Sequence, residues 1–224
     1  MKFYNKNRLY WYRRMSQAYV NMEICDGMNA EERAVKRGAD VIGALLGLLL
    51  LSPVFAVVYL LLKWEGLGPV IYKQERIGYK GQSFFILKFR TMRADSEKDG
   101  QPRLAEKDDE RLTPVGKFLR EHHLDELPQL WNVLLGEMSF VGPRPERRYF
   151  IDLIMKENPD YEYVFLMRPG LTSQATLYNG YTDTMRKMLV RLQMDLYYFQ
   201  HRSLWMDLKI IWTTVCFILK GKKF

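Results

Sequence analysis

Two adjacent carboxylates, Asp125 and Glu126, stand just ahead of a strongly apolar segment in "LDELPQLWNVLLGEMSFVGPRP", residues 124–145. Two readings suit them. In the first they serve a helix start: aspartate is a favoured N-cap, a first-turn glutamate complements the helix dipole, and Pro128 is tolerated there. In the second they do chemistry on phosphorus. A helix start offers free N–H groups and the positive end of its dipole to a phosphate. An aspartate, with a reference pKa of ~3.9, is ionised at neutral pH and attacks without a base. Its neighbour can help hold Mg²⁺, which takes one or two carboxylates together with phosphate oxygens.

Under the second reading the nearby cations gain a task. Lys88 and Arg90 end a candidate strand, Arg120 precedes the pair, Arg144 follows the apolar helix, and Arg168 opens another turn. One at a time each reads as a solvated surface charge. Together they suit the charge of a transferring phosphoryl group. Pro143 and Pro145 would stiffen the backbone that aims Arg144 at a phosphate. His122 and His123 lie close to the pair, but histidines near a helix end more commonly meet solvent or backbone, so they are left out of the site. Trp131 and Trp205 read as core or interface aromatics.

The elements that must position these residues follow from the rest of the chain. At 224 residues it can form one large domain or two small ones around a real core. Its formal charge of +8 favours an anionic partner: nucleic acid, a membrane surface or a phosphorylated substrate. No helix-turn-helix or zinc spacing supports the first. Cys25 and Cys216 match no metal pattern and read as free thiols of a reducing compartment. The opening "MKFYNKNRLYWYRRMSQAYV" lacks an apolar core followed by a cleavage site, so no secretory signal is expected. It reads as a surface extension or tail, with membrane-surface contact through Tyr10, Trp11, Tyr12, Arg13 and Arg14 as the alternative.

From Val41 to Leu62 there is no charge, and that length can cross a bilayer. Ser52 and Pro53 interrupt the run, and cations flank both ends: Lys36 and Arg37 before, Lys63 after. Each half spans roughly 17 Å against a hydrocarbon core of ~30 Å. A hairpin that dips into one leaflet and a kinked single span both remain open on these residues. Next, "PVIYKQERIGYKGQSFFILKFRTM" predicts two strands around a "GYKG" turn, and "RADSEKDGQPRLAEKDDERL" a charged loop. Thr113 and Pro114 predict a capped helix start. A second helix is predicted from about Asp125 to Gly136, another until Asn158 and Pro159, and a long one from about Asp183 to Gln200. The stretch "RPGLTSQATLYNGYTD" reads as a turn region. The apolar part of "LWMDLKIIWTTVCFILKGKKF" is too short to span and is expected to lie in a membrane interface.

Taken together, "KRGAD", "SP", "GPVIYKQERIG", "FFILKFRTM", "LTPVGKFLR", "LDELPQLWNVLLGEMSFVGPRP", "RPGLTS" and the late "DLYY" resemble the bacterial monotopic phosphoglycosyl transferases, the polyprenyl-phosphate sugar-phosphate transferase family. The resemblance runs from about Lys36 to the C-terminus. It implies an α+β fold: an extension at 1–35, a re-entrant membrane helix at 36–63 broken at Ser52 and Pro53, and a catalytic domain with interfacial helices at 64–224. It implies that Asp125 is the nucleophile, that Glu126 with Asp125 binds Mg²⁺, and that Lys88, Arg120 and Arg144 (between Pro143 and Pro145) contact phosphate. Arg168 and Asp195 match active-site positions of less settled role.

The implied reaction moves a phospho-sugar from a UDP-sugar to polyprenyl (undecaprenyl) phosphate through an aspartyl intermediate, with UMP released. The implied setting is the cytoplasmic face of the bacterial inner membrane, at the first membrane step of surface-glycan assembly. Partners are then anionic headgroups and the two substrates, with no nucleic acid; a homodimer is kept open. The chain departs from the family after "RPG": "TSQATLYNGY" stands where many relatives have a "TG.AQV.GR" pattern, which leaves the sugar open. No large additional membrane domain is expected. A catalytically silent membrane scaffold and a Mg²⁺-dependent nucleotide-sugar hydrolase are the alternatives.

Overall fold

The structure, a computed structural model, describes residues 24–93, 109, 111–180, 182 and 184–220. The aromatic and basic opening, most of the charged loop and the last four residues lie outside the described residues.

The first helix, α1 (Ala30–Leu50), starts earlier than the apolar run suggested. Asn29 accepts from Glu32 N–H while the Glu32 carboxylate accepts from Asn29 N–H, a reciprocal cap that satisfies two orphan donors. The next helix, α2 (Ser52–Glu65), leaves at 59° to the first. The break has a local cause. Pro53 has no N–H for the carbonyl of Leu49, and the Ser52 hydroxyl donates to that same oxygen at 2.8 Å. No single helix among the described residues is long and apolar enough to cross a membrane, but this bent pair is by length and composition. Its outer face is apolar and bare, with Leu49 and Leu50 70% and 74% exposed and Trp64 89%.

The two predicted strands form an antiparallel hairpin, β1 (Ile71–Ile77) with β2 (Ser83–Phe89), joined by a tight turn at Tyr79–Gly81. Pairing Tyr72 with Lys88, Gln74 with Ile86 and Arg76 with Phe84 places these residues on one face. Then α3 (Pro114–Glu121) begins as expected, with the Thr113 side chain accepting from Gly116 N–H and Pro114 in the first turn.

The helix predicted from Asp125 differs. Leu124–Glu126 is a single 3-10 turn, and α4 (Gln129–Leu135) begins only after Pro128, ending at left-handed Gly136. Also unforeseen is a parallel pair, β3 (Ser139–Val141) with β4 (Gly170–Thr172), too short to stand out as an alternating pattern. Between them run α5 (Arg148–Glu157) and 3-10 turns over Pro159–Leu166. The predicted turn region contains α6 (Gln174–Asn179), after which come α7 (Met185–His201) and α8 (Leu204–Leu219). The fold is therefore α+β and mostly helical.

The apolar core is continuous with the helix pair. Ala44 packs with Phe84, Ile86, Val133 and Met138, and Val58 and Leu62 pack with Val70, Phe89 and Leu119. Behind β3 and β4, Val141, Met167, Tyr198 and Ile210 close a further cluster.

Polar contacts seat both ends of the pair on this one body. Lys36 Nζ lies 2.6 Å from Asp207, which also accepts from the Tyr198 hydroxyl. Arg37 donates to the carbonyls of Val133 and Leu134, and the Asp40 carboxylate accepts from Phe140 N–H. At the far end Arg90, 4% exposed, donates to the carbonyls of Leu62, Gly68 and Pro69 and pairs with Glu65. Arg90 is thus a fastener for the end of α2. It is not available as a phosphate clamp, because its guanidinium is buried and both terminal nitrogens are taken.

Candidate active site

The acid pair is built by a chain reversal. After α3, His123 takes a left-handed backbone at φ 56, a post-helix position that usually favours glycine or asparagine. The turn that follows carries Asp125 inward to 7% exposure. Asp125 caps no helix, so the helix-start reading falls away: α4 begins at Gln129 and has no side-chain cap. His122 donates Nδ1–H to the Phe118 carbonyl at 2.9 Å, a backbone partner of the kind expected.

The two carboxyls have been driven apart. Burial, with Glu126 adding to it, outweighs the pull of Lys88 and Arg120 and leaves Asp125 raised to about 6. Burial also opposes charge on Glu126. Lys88 first and Arg144 next more than offset this, holding Glu126 well below the usual carboxylate range. The principal contact is Lys88 Nζ to Glu126 Oε1, 2.6 Å, between side chains 19% and 27% exposed. Near pH 7 Glu126 is firmly ionised and Asp125 is mostly so, unlike the free-solution aspartate assumed from composition.

Lys88 is aimed by a residue that sequence reasoning passed over. Asn132, 1% exposed, accepts from Leu87 N–H at 3.0 Å and donates to the Phe85 carbonyl at 2.8 Å. Its amide thereby acts as one more strand partner for β2 and welds α4 beside Lys88. On the other side, Gly142 and Gly170 let the "GPRP" and "RPG" loops touch. A Cβ at Gly142 would fall 2.2 Å from the Arg168 carbonyl oxygen, so no larger residue fits without moving the backbone. Pro143 and Pro145 are buried and Arg144 is exposed between them, as a stiff mount would require.

Arg76, Ile86, Lys88, Glu126, Gln129, Arg144, Pro145, Gly170 and Leu171 line one recess. Pro143 lines an adjoining crease with Arg144 and Pro145. Asp125 is not in the recess wall, and neither is Arg120, although its charge reaches Asp125.

Two more candidates stand elsewhere. Arg168 donates Nε–H to the Gly136 carbonyl at 2.9 Å and lies over the Tyr79 ring, linking the α4 end to the β1–β2 turn. Asp195 is 5% exposed on α7; burial raises its carboxyl to about 7 against the pull of Arg191, with Glu146 adding to the rise.

Gln129, Asn132, Arg76 and Glu146 were the residues missed. Gln129 and Asn132 recur three apart inside an otherwise apolar helix, and Arg76 shares the Lys88 face of the hairpin. Both patterns are legible in principle.

Among the described residues no group of three or more His, Cys, Asp or Glu side chains could hold a metal by itself. The donor set here is Asp125 and Glu126. Two carboxylates beside a cation-lined recess fit an ion whose remaining ligands come from phosphate and water; they do not fit an ion caged wholly by protein.

A family model described as bacterial sugar transferase matches residues 31–221. The chain is 40% identical over 187 residues to the UDP-N-acetylgalactosamine-undecaprenyl-phosphate N-acetylgalactosaminephosphotransferase of Aeromonas hydrophila, covering 84% of this chain and 44% of that protein. It is 42% identical over 184 residues to the UDP-glucose:undecaprenyl-phosphate glucose-1-phosphate transferase of Caulobacter vibrioides, 80% of this chain and 68% of that one. An exopolysaccharide production protein of Rhizobium leguminosarum bv. phaseoli is 40% identical over 196 residues, 85% of this chain and 98% of the relative. The chain spans less than half the length of several relatives, including the Aeromonas protein at 44% and a Klebsiella pneumoniae glucose-1-phosphate transferase at 41%. Since the matched span takes in the acid pair, its basic surround and the bent helices that carry them, this chain belongs to the bacterial sugar transferase family.

Proposed function

We propose that the chain transfers a phospho-sugar from a UDP-sugar to polyprenyl (undecaprenyl) phosphate, the first membrane step of surface-glycan assembly. The observation that carries this is the acid pair: Glu126 is held by Lys88 at the wall of a recess that also presents Arg76 and Arg144, and Asp125 is directly beside it. The names of the relatives, which act on undecaprenyl phosphate with UDP-glucose or UDP-N-acetylgalactosamine, support the same substrates.

In the proposed mechanism an Asp125 carboxylate oxygen attacks the sugar-bearing phosphorus of the donor. The bond from that phosphorus to the bridging oxygen breaks and UMP leaves with the electron pair. The phospho-sugar is then an acyl phosphate on Asp125. An oxygen of polyprenyl phosphate attacks the same phosphorus, the acyl phosphate bond breaks, and polyprenyl-diphospho-sugar leaves with Asp125 restored as a carboxylate. Lys88 and Arg144 offset the phosphoryl charge, and Arg120 favours the ionised nucleophile. Glu126 and Asp125 would hold Mg²⁺, which when bound neutralises phosphate charge.

The helix pair is proposed to enter one leaflet and return to the cytoplasmic side. Its two ends are fastened to the same body by Lys36, Arg37 and Asp40 at one end and Arg90 at the other, and the face between is bare and apolar. The exposed Trp205, Trp212 and Leu219 of α8 suit an interfacial position beside it. A hairpin anchored so would hold the acid pair near the depth of a lipid phosphate, lowering the entropic cost of the second step.

One observation favours a second reading, in which Glu126 attacks: Glu126 lines the recess and Asp125 does not. Mass spectrometry of protein mixed with UDP-sugar alone decides between them. An adduct that persists in Glu126→Gln and vanishes in Asp125→Asn, together with UMP release, supports the first; the reverse pattern transfers the role to Glu126. Healthy UMP release with no adduct on either residue removes the covalent mechanism.

A further inference from the structure

The recess holds two polar groups that this mechanism does not use. Gln129 is 2% exposed and lines the recess, yet its Nε2 amide has no hydrogen-bond partner. The Nε of Arg76, in the same wall, also has none, while the tip of that guanidinium is held by Gln74 Oε1 at 2.6 Å. Buried donors without acceptors are costly and uncommon in folded proteins. Two of them belong to residues that line one recess, which suits a ligand that brings acceptor oxygens.

Charge points the same way. Arg76 lies within reach of the charges of Arg144 and Arg147, and Arg191 within reach of Arg144. Glu146 pairs with Arg191 and lies 4.0 Å from Arg76, and Asp195 also faces Arg191. Burial, then repulsion from Arg144, lowers the Arg76 guanidinium to about 10, and Glu146 restores only part of this. An anion in the recess relieves both the repulsion and the unpaired donors. Arg76 pairs with Phe84 on the face that carries Lys88, four residues along β2, so the two cations are set roughly 13 Å apart along the strand. Lys88 attends the acid pair. Arg76 attends whatever extends away from it.

We propose that Arg76 and Gln129 bind the oxygens of the phosphate that departs, the one left on the nucleoside when the donor is cleaved. This rests on the transfer reaction proposed above, and it adds two residues to the donor site. Because the amide nitrogen has no partner without ligand, Gln129→Met removes a buried orphan donor and keeps about the same side-chain length.

The test measures binding of UMP, and separately of uridine, to the full chain in nanodiscs. Gln129→Met and Arg76→Lys are each expected to weaken UMP about tenfold to a hundredfold, the loss of one charge-assisted hydrogen bond, and to leave uridine unchanged. Gln129→Met should melt at or above the wild-type temperature, a result that a purely structural glutamine would not give. If its melting falls instead, Gln129→Glu keeps the shape, repels the anion and must show the same UMP loss. Unchanged UMP binding in the variants, an equal loss for uridine, or no UMP binding by wild type that still releases UMP in turnover, overturns the inference and spares the reaction. Absence of UMP release with every UDP-sugar overturns the reaction itself.

Discussion

Replacing Lys88 by methionine should move the acid limb of the pH–rate profile. The ammonium lies 2.6 Å from Glu126 Oε1, with both side chains less than a third exposed, so solvent does not replace it well. Methionine keeps most of the length and removes the charge. A charge-assisted hydrogen bond is worth about 1.5–3 kcal/mol, or roughly one to two pKa units at 1.36 kcal/mol each. Loss of a nearby cation disfavours the ionised form, so both carboxyls move up. Lys88 is also the leading influence opposing burial at Asp125, whose net position is about 6. In wild type, kcat/KM for UMP release should therefore fall as the pH drops through about 6. In Lys88→Met the fall should begin roughly a unit or more higher, the scale on which a nearby opposite charge lowers a carboxyl. The plateau should also be lower under the proposed mechanism, in which Lys88 offsets phosphoryl charge. Lys88→Arg should return the limb most of the way even where the plateau stays low. An acid limb that stays near its wild-type position in Lys88→Met refutes the coupling between this lysine and the pair.

The same burial makes a stability prediction of opposite sense to the usual carboxylate. Asp125 titrates higher folded than in its ordinary state, so its protonated form stabilises the fold; that contribution is present below about 3.8 and is lost as pH rises through about 6. Asp125→Asn, which mimics the protonated acid, should gain about 1–3 kcal/mol over wild type at pH 8 and nothing at pH 4, read from denaturant melts at the two pH values. Asn132→Ala strips β2 of a donor and an acceptor in the core and should cost about 2–4 kcal/mol, with UMP release lost in parallel as Lys88 loosens; a melting temperature within a degree of wild type counts against the weld. With Cys25 and Cys216 changed to serine, cysteines placed at the exposed positions Ala34 and Lys63 should both react with an impermeant reagent from the cytoplasmic side only. Labelling from opposite sides means a span.

Much of the local structure was legible because its causes are local. Thr113 and Pro114 mark the start of α3, Gly136 the end of α4, and the "GYKG" turn the hairpin, each through a cap or dihedral preference that acts within a few residues. Ser52 and Pro53 announced a break, and the chain bends there by 59° because one residue lacks the donor that its neighbour's hydroxyl replaces. The errors share a different origin. Arg90 resembled a phosphate clamp because a lone arginine at a strand end carries no mark of what it will meet. Here it meets the carbonyls at the end of α2, 21 to 28 residues away in the chain. The parallel pairing of β3 with β4 depends on the Gly142–Gly170 contact between loops, and three-residue strands leave no period to read.

By itself the sequence determined the kinds of chemistry available: an adjacent acid pair, a supply of cations, and an apolar run broken by one serine and one proline. Those are properties of residue type and near spacing, and short-range physics acts on them directly. Only the tertiary structure decided which acid is buried and which is paired, because the dielectric around Asp125 and the reach of Lys88 to Glu126 depend on elements distant in sequence. It also decided that Lys36, Arg37 and Arg90 fasten the bent helices and do not clamp a ligand, since a cation's role is set by the oxygen it finds when the chain closes.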